Sequence, residues 1–238
     1  MRLRTLAAGL VSWLPFAGLR TLVYRAFPGY RIASGARIGW RAIVAVDTLE
    51  MAAGSSIGSR TVARGPVRVV LGERACVGPR CRIECGEWVA EYNDPDNPYR
   101  REFVMGADAL ATEEHYFDAV GGLEIGEGAW IAGVGTQIWT HGLGVAERDV
   151  CIGRYTYVGS ACRFAPGSAV GELSVVGLGS VVTSDLSGSP ESLVAGVPAR
   201  VGESRYRASG WSALSKAREA GRGAYAPEGG AAASPADA

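Results

Sequence analysis

The chain has 238 residues, 47% of them hydrophobic, enough to bury a sizeable core in one large domain or two small ones. Lysine plus arginine and aspartate plus glutamate each number 24, so the formal net charge is +0 and no polyanionic partner such as nucleic acid is advertised. Lys216 is the single lysine, which leaves phosphate contacts to arginine or backbone N–H groups; the five cysteines are an odd count, and Cys76, Cys81 and Cys85 have no nearby histidines for a mixed zinc site, so the chain reads as reduced, cytoplasmic and free of metal.

The N-terminal MRLRTLAAGLVSWLPFAGLRTLVYRAF opens basic and apolar, like a secretory leader. Pro15, Arg20 and Arg25 interrupt it, no small-residue cleavage site follows, and the uncharged run from Thr5 to Leu19 is short for a membrane span. It predicts a short N-terminal helical segment, residues 1–29, packing a Leu and Val face on the main domain. A peripheral contact of residues 1–27 with the inner face of the membrane is the second reading.

From Ile32 the chain begins to repeat in sixes, as IASGAR and IGWRAI, then from Leu71 as LGERAC, VGPRCR and IECGEW. The register is lost over about 86–122, which is read as a loop insertion, and its NDPDNP must leave any regular coil. That stretch ends with EEHYFDAVGG, which carries His115 and Asp118. IGEGAW follows at Ile125, and then GTQIWTHGLG, residues 135–144, carries His141, the other of only two histidines.

The cleanest repeats run from Ile152 to Ser187 as IGRYTY, VGSACR, FAPGSA, VGELSV, VGLGSV and VTSDLS. Each block starts with an apolar residue, and the fifth place of the first five holds Thr156, Cys162, Ser168, Ser174 and Ser180. A helical period would scatter these residues, and a hairpin would alternate without a strict six. A six-residue period predicts a parallel β-helix, three blocks of strand plus turn closing a coil of about 18 residues, with glycines at the tight corners. LVAGVPARV closes the repeats at Leu193–Val201; a short helix is predicted between Ser204 and Ala220, and the Gly/Ala/Pro-rich stretch from Gly221 reads as a disordered tail.

The repeats, LVAGVPARV, and the succession of His141, LGVAERD, VCIG from Val150, YVGS from Tyr157, APG from Ala165 and GSVVT from Gly179 resemble the hexapeptide-repeat acyltransferases. Within them the pattern is most similar to the galactoside, maltose and cell-surface-polysaccharide O-acetyltransferases. The resemblance implies an all-β fold, a left-handed parallel β-helix over 30–202 with a short helix before it and a C-terminal helix and tail in 203–238, assembled as a homotrimer. It also implies acetyl-CoA as acyl donor and a hydroxyl of a sugar or cell-surface glycan precursor as acceptor, with His141 as general base. Neutral imidazole suits that task, with an ordinary pKa of about 6.5.

By the same resemblance, coenzyme A contacts fall to Tyr157, Ser160, Gly179, Thr183 and Arg200, and the Ser160 hydroxyl or backbone N–H groups would meet the oxyanion. Ser184 stands where lysine commonly follows the Val-Thr pair, which shifts phosphate binding to Arg200 or another arginine. His115 and Asp118 are assigned to the acceptor, with His115 as reserve base. Trp139 is placed with the acceptor set, and Trp139 and Thr140 read otherwise as packing and positioning residues. Two rivals stay open, a non-catalytic β-helical scaffold and an N-acetyltransferase acting on an amino sugar. A γ-class carbonic anhydrase would need three zinc-binding histidine positions, and serine acetyltransferases carry a long helical domain before the repeats.

Overall fold

A computed structural model of the chain describes residues 2–91 and 97–202. The helix and tail expected over 203–238, and most of NDPDNP, lie outside these residues. Two short helices, α1 (Arg2–Ser12) and α2 (Ala17–Arg25), precede a long run of short strands. No helix among the described residues is long and apolar enough to cross a membrane.

The strands form a 13-stranded and a 9-stranded sheet, parallel throughout except for the last pairing of the chain, and the larger sheet is curled through the long strands Ile43–Met51 and Val62–Leu71. The chain therefore visits three parallel ladders in turn. The first runs from Tyr30–Ile32 through Glu102–Met105 and Gly122–Ile125 to Asp185–Leu186; the second runs from Arg37–Ile38 through Trp130–Val134 and Tyr157–Val158 to Leu193–Gly196. The third passes through Arg82–Glu84, Tyr116–Asp118, Gln137–Ile138 and Arg163–Phe164 to Val181–Val182. Ile152 pairs with Val170, Val158 with Val176 and Phe164 with Val182, a step of about 18 residues, as expected of a β-helix coil.

Side-chain size explains the period. The first-place residues Ile152, Val158, Phe164, Val170, Val176 and Val182 are all buried and stack along the interior. The fifth-place residues Thr156, Cys162, Ser168, Ser174 and Ser180 are buried too, at corners where only small groups fit. Their hydroxyls need partners there, and they find backbone carbonyls: Thr156 Oγ1 donates to Gly171 O at 2.7 Å and Ser168 Oγ to Ala165 O at 2.6 Å. Cys81 takes an equivalent place, and burial pushes its thiol up to about 12, which makes it an inert apolar filler.

The glycine that follows the apolar residue has a different cause from the one expected. At Gly126 and Gly153 the backbone is not left-handed; instead, a Cβ would lie 2.6 Å from the Arg154 nitrogen and 2.4 Å from the Glu172 nitrogen of the next coil. Several of the left-handed corners are filled by other residues, among them Arg60, Arg80, Tyr155 and Leu173. Glycine is required where coil meets coil, and the corners tolerate side chains that point outward.

The stretch expected to be an insertion over 86–122 is largely regular. Glu102–Met105, Leu110–Glu113 and Tyr116–Asp118 make a complete coil, paired to the coils on both sides. Among the described residues, the chain leaves the coil only between Glu84 and Glu102, and again between Ile138 and Val150. Gly153→Ala is expected to destabilise the fold by about 1–3 kcal/mol, since two coils must part. Gly188→Ala, whose Cβ meets nothing within 4 Å, should stay within about 0.5 kcal/mol of wild type; urea midpoints of the two variants check this.

Candidate active site

The two excursions leave the same corner of the β-helix, at the end of the third ladder, with one intact coil between them. They pack on each other. Asn97 Nδ2 donates to Ala146 O at 3.1 Å, Arg148 Nη1 donates to Asn97 O at 2.8 Å, and the Arg148 guanidinium lies 4.2 Å from the centre of the Tyr99 ring. Arg100 Nη1 reaches Asp149 Oδ2 at 3.0 Å. A cleft of about 710 Å3 is lined by Arg64, Glu84, Trp88, Tyr116, Asp118 and His141, together with Thr5 and Leu6 of α1.

His141 opens the second excursion and is partly exposed to the cleft. Its Nδ1 donates to Asp118 Oδ2 at 2.7 Å, and the Trp88 ring lies 5.8 Å from the imidazole, centre to centre. Asp118 ends the third-ladder strand of the preceding coil and is buried. Its carboxylate is not stranded, because Oδ2 also accepts from Thr140 N at 2.8 Å and lies 2.9 Å from Thr140 Oγ1. The Thr140 hydroxyl in turn accepts from Gly121 N at 2.9 Å. A carboxylate on Nδ1–H fixes the tautomer and leaves the lone pair on Nε2. The arrangement can take a proton and stabilise the imidazolium that results.

Asp118, expected to hold the acceptor, is only 2% exposed at the cleft wall, where its carboxylate is engaged by Thr140 and His141.

His115, expected to hold the acceptor or to serve as reserve base, lies away from the cleft lining. It is 1% exposed, sitting at a corner between the second and third ladders. Its Nδ1 accepts from the Thr136 backbone N–H at 3.2 Å, which places the ring proton on Nε2, 3.1 Å from Thr112 Oγ1. Both nitrogens are satisfied inside the protein, and desolvation lowers the pKa to about 4. It is a buried histidine with both ring nitrogens engaged inside the protein.

Trp139 is 38% exposed and stacks on Tyr116, with ring centres 4.8 Å apart, beside the cleft rather than in its lining. Thr140 is fully buried in the Asp118 network. Arg64, Glu84, Trp88 and Tyr116 face the cleft, and sequence reasoning did not find them. Tyr116 was next to a histidine already singled out. The others gave no signal, because only coil stacking brings them together.

The residues assigned to coenzyme A fall on two edges. Ser160 and Gly179 stack at the corner after the second ladder, with Gly179 N donating to Ser160 O at 2.9 Å. Gly133 of the coil before leaves them room, since a Cβ there would lie 1.8 Å from Ser160 Oγ. Tyr157 stands in the second ladder, its ring edge-on to Trp130 at 5.8 Å. Arg200 lies exposed in the closing antiparallel pair of Leu193–Gly196 with Ala199–Gly202. Thr183 follows the third ladder, on the same edge as Trp139 and two coils further on. Within one chain, Ser160, Gly179 and Tyr157 are thus not brought together with His141. Among the described residues no group of His, Cys, Asp and Glu is placed to hold a metal ion.

No protein-family model matches the sequence, and no curated protein matches it. Solved structures similar to the chain are hexapeptide-repeat acyltransferases. A maltose O-acetyltransferase from Clostridium difficile is 23% identical over 61% of this chain and 70% of its own, with a TM-score of 0.39. A UDP-N-acetylglucosamine O-acyltransferase from Moraxella catarrhalis is 14% identical over 74% of this chain and 70% of its own, with a TM-score of 0.47. A hexapeptide-repeat-containing acetyltransferase from Vibrio cholerae, in complex with acetyl coenzyme A, is 17% identical over 87% of each chain, with a TM-score of 0.43.

The burial of His115 has a consequence for acid stability. Its folded pKa of about 4 lies below the ordinary value of 6.5, so the unfolded chain takes up the proton first as pH falls. The stability present above about pH 6.5 is lost progressively down to about pH 4, by on the order of 3 kcal/mol. His115→Gln should remove this portion, so that its unfolding free energy changes less over that window than the wild type's, as measured by urea titration at a series of pH values.

Proposed function

We propose that the chain is a coenzyme A-dependent acyltransferase that moves an acetyl group from acetyl-CoA to a hydroxyl of a sugar or glycan precursor, with His141 as general base and Asp118 as its positioning residue. The observation that carries this reading is the 2.7 Å contact of His141 Nδ1 with the buried Asp118 carboxylate at the wall of an open cleft. A scaffold has no use for a buried carboxylate held by three donors behind an accessible imidazole.

In the proposed reaction the acceptor oxygen attacks the thioester carbonyl carbon as His141 Nε2 takes the hydroxyl proton. A tetrahedral intermediate forms, its oxyanion met by backbone N–H groups or the Ser160 hydroxyl. The carbon–sulfur bond then breaks, and the proton passes from Nε2 to the departing thiolate. Asp118 keeps its charge throughout and stabilises the imidazolium between the two transfers. Arg64 and Glu84, a pair 3.1 Å apart on the cleft wall, and the rings of Trp88 and Tyr116 offer the mixed polar and aromatic surface that a sugar requires.

Ser160, Gly179, Tyr157 and Arg200 belong to the donor site in this reading, with Thr183 on the edge nearer His141. Their separation from His141 within one chain supports a homotrimer in which one copy supplies the base and its neighbour the donor groove. The resemblance to the hexapeptide-repeat acyltransferases implies a left-handed coil over 30–202, with 1–29 as a separate helical segment.

His141→Ala should lower turnover on the order of 100- to 10,000-fold while leaving coenzyme A binding intact. Asp118→Asn should lower kcat on the order of 100-fold with little change in the KM for acetyl-CoA, because the ring loses its orientation and its counter-charge. Steady-state kinetics with acetyl-CoA and a panel of sugar acceptors, with calorimetry for the donor, checks both. A His141→Ala variant of near wild-type turnover overturns the assignment.

A further inference from the structure

The helices before the β-helix are stranger than a cap requires. α2 turns its buried face, Arg20, Thr21 and Tyr24, onto the open end of the first coil. α1 lies outside that cap and against the edge of the strand Ile43–Met51, burying Ala8 and Ser12. Its opposite side is a stripe at helical spacing, Leu3, Leu6, Leu10 and then Trp13, exposed by 81, 67, 77 and 61%. Isolated exposed leucines are ordinary, but four large apolar residues in one line are a surface awaiting a partner.

Charge indicates which partner. Residues 1–46 contain seven arginines and no aspartate, glutamate or lysine; Arg20 and Arg25 donate to backbone carbonyls of the first coil and Arg4 pairs with Asp47, whereas Arg31, Arg37 and Arg41 are exposed. At the C-terminal end of the stripe the Arg41 guanidinium lies 4.4 Å from the Trp13 ring centre and 5.6 Å from that of Trp40, and Arg60 lies 5.6 Å from Trp40. Apolar side chains in line, with tryptophans and exposed arginines beside them, are what the headgroup zone of an anionic bilayer selects. A helix of this kind lies in the interface and does not span it.

We infer that α1 docks on an anionic lipid surface through Leu3, Leu6, Leu10 and Trp13, with Arg41 and Arg60 at the phosphates. Thr5 and Leu6 of the same helix line the His141 cleft, so docking brings the mouth of the cleft to that surface. The acceptor is then an amphiphile held in the surface, its polar head entering the cleft. This last clause rests on the acyltransferase reading, and the docking does not.

The test is co-sedimentation of the full chain with phosphatidylcholine vesicles, with and without phosphatidylglycerol, for wild type and for Leu3→Gln/Leu10→Gln, two exposed positions outside the cleft. Wild type is expected to pellet with the anionic vesicles and to be released by high salt, and the variant to bind roughly tenfold or more weakly. The variant should keep wild-type turnover on any water-soluble acceptor that proves productive, whereas turnover on a vesicle-borne one falls with binding. A wild type that stays in the supernatant, or a variant that binds as well as wild type, overturns the inference. So does a variant whose oligomeric state changes in sedimentation velocity, since the stripe would then belong to a second copy of the chain. Vesicle binding is read without turnover, so failure of the acyltransferase reading leaves this result standing.

Discussion

The constraint on which everything else depends is that each coil must offer its backbone N–H and C=O groups to the next in strict parallel register. An uncompensated slip of one residue would turn the stacked interior outward, and the register shifts only locally, between Val46 and Thr48 and between Ile131 and Val134, among the described residues. The step of about 18 residues, the buried first and fifth places and the glycines that let one coil approach the next all serve that register. The active-site pair is a product of it too. Asp118 and His141 lie 23 residues apart in the chain, and they meet because they stand at the same corner of consecutive coils.

A stack of coils has ends, and an exposed end is an unpaired strand edge open to aggregation. The first coil is closed by side chains from the N-terminal segment. Tyr24 Oη accepts from Val44 N at 3.2 Å, Tyr30 Oη from Val46 N at 3.0 Å, and Thr21 Oγ1 from Ile38 N at 3.4 Å. The carbonyls are met by arginine, Arg20 Nε donating to Ile38 O at 3.1 Å and Arg25 Nε to Ile32 O at 3.0 Å. Burial pushes both tyrosines up to about 12, so they stay neutral and keep a proton to donate. Several arginines of the basic opening segment are therefore structural. The excess of apolar surface on α1 is left over once the cap is complete.

How legible this was in the sequence depended on volume. From Ile152 the first place is always large and the fifth always small, and the repeat can be read by eye. In the coil before His141 the volumes are exchanged. Ala111 holds a first place and His115 a fifth, both fully interior, and the block MGADAL-ATEEHY-FD loses its visible period while keeping its geometry. A histidine met there looks like chemistry, although it fills space left by a small neighbour and finds two hydrogen-bond partners. Sequence reasoning thus overestimated the insertion and misplaced His115 for one reason. It singled out both His141 and Asp118 but not their contact, because side-chain direction at a coil corner is set by stacking between residues far apart in sequence.

The division of labour in the pair follows from where each member sits. The imidazole hangs from an excursion, and the carboxylate belongs to an intact coil paired on both sides. Burying that carboxylate would be costly alone, and Thr140 N–H and hydroxyl offset the cost before any substrate arrives. Thr140 is also the residue just before His141, so the same interaction that solvates Asp118 anchors the start of the excursion. The ring is thereby held in its tautomer and its direction at once, with Nε2 free to accept a proton. The rigidity of the β-helix thus reaches the cleft at this corner, through a carboxylate fixed on an intact coil.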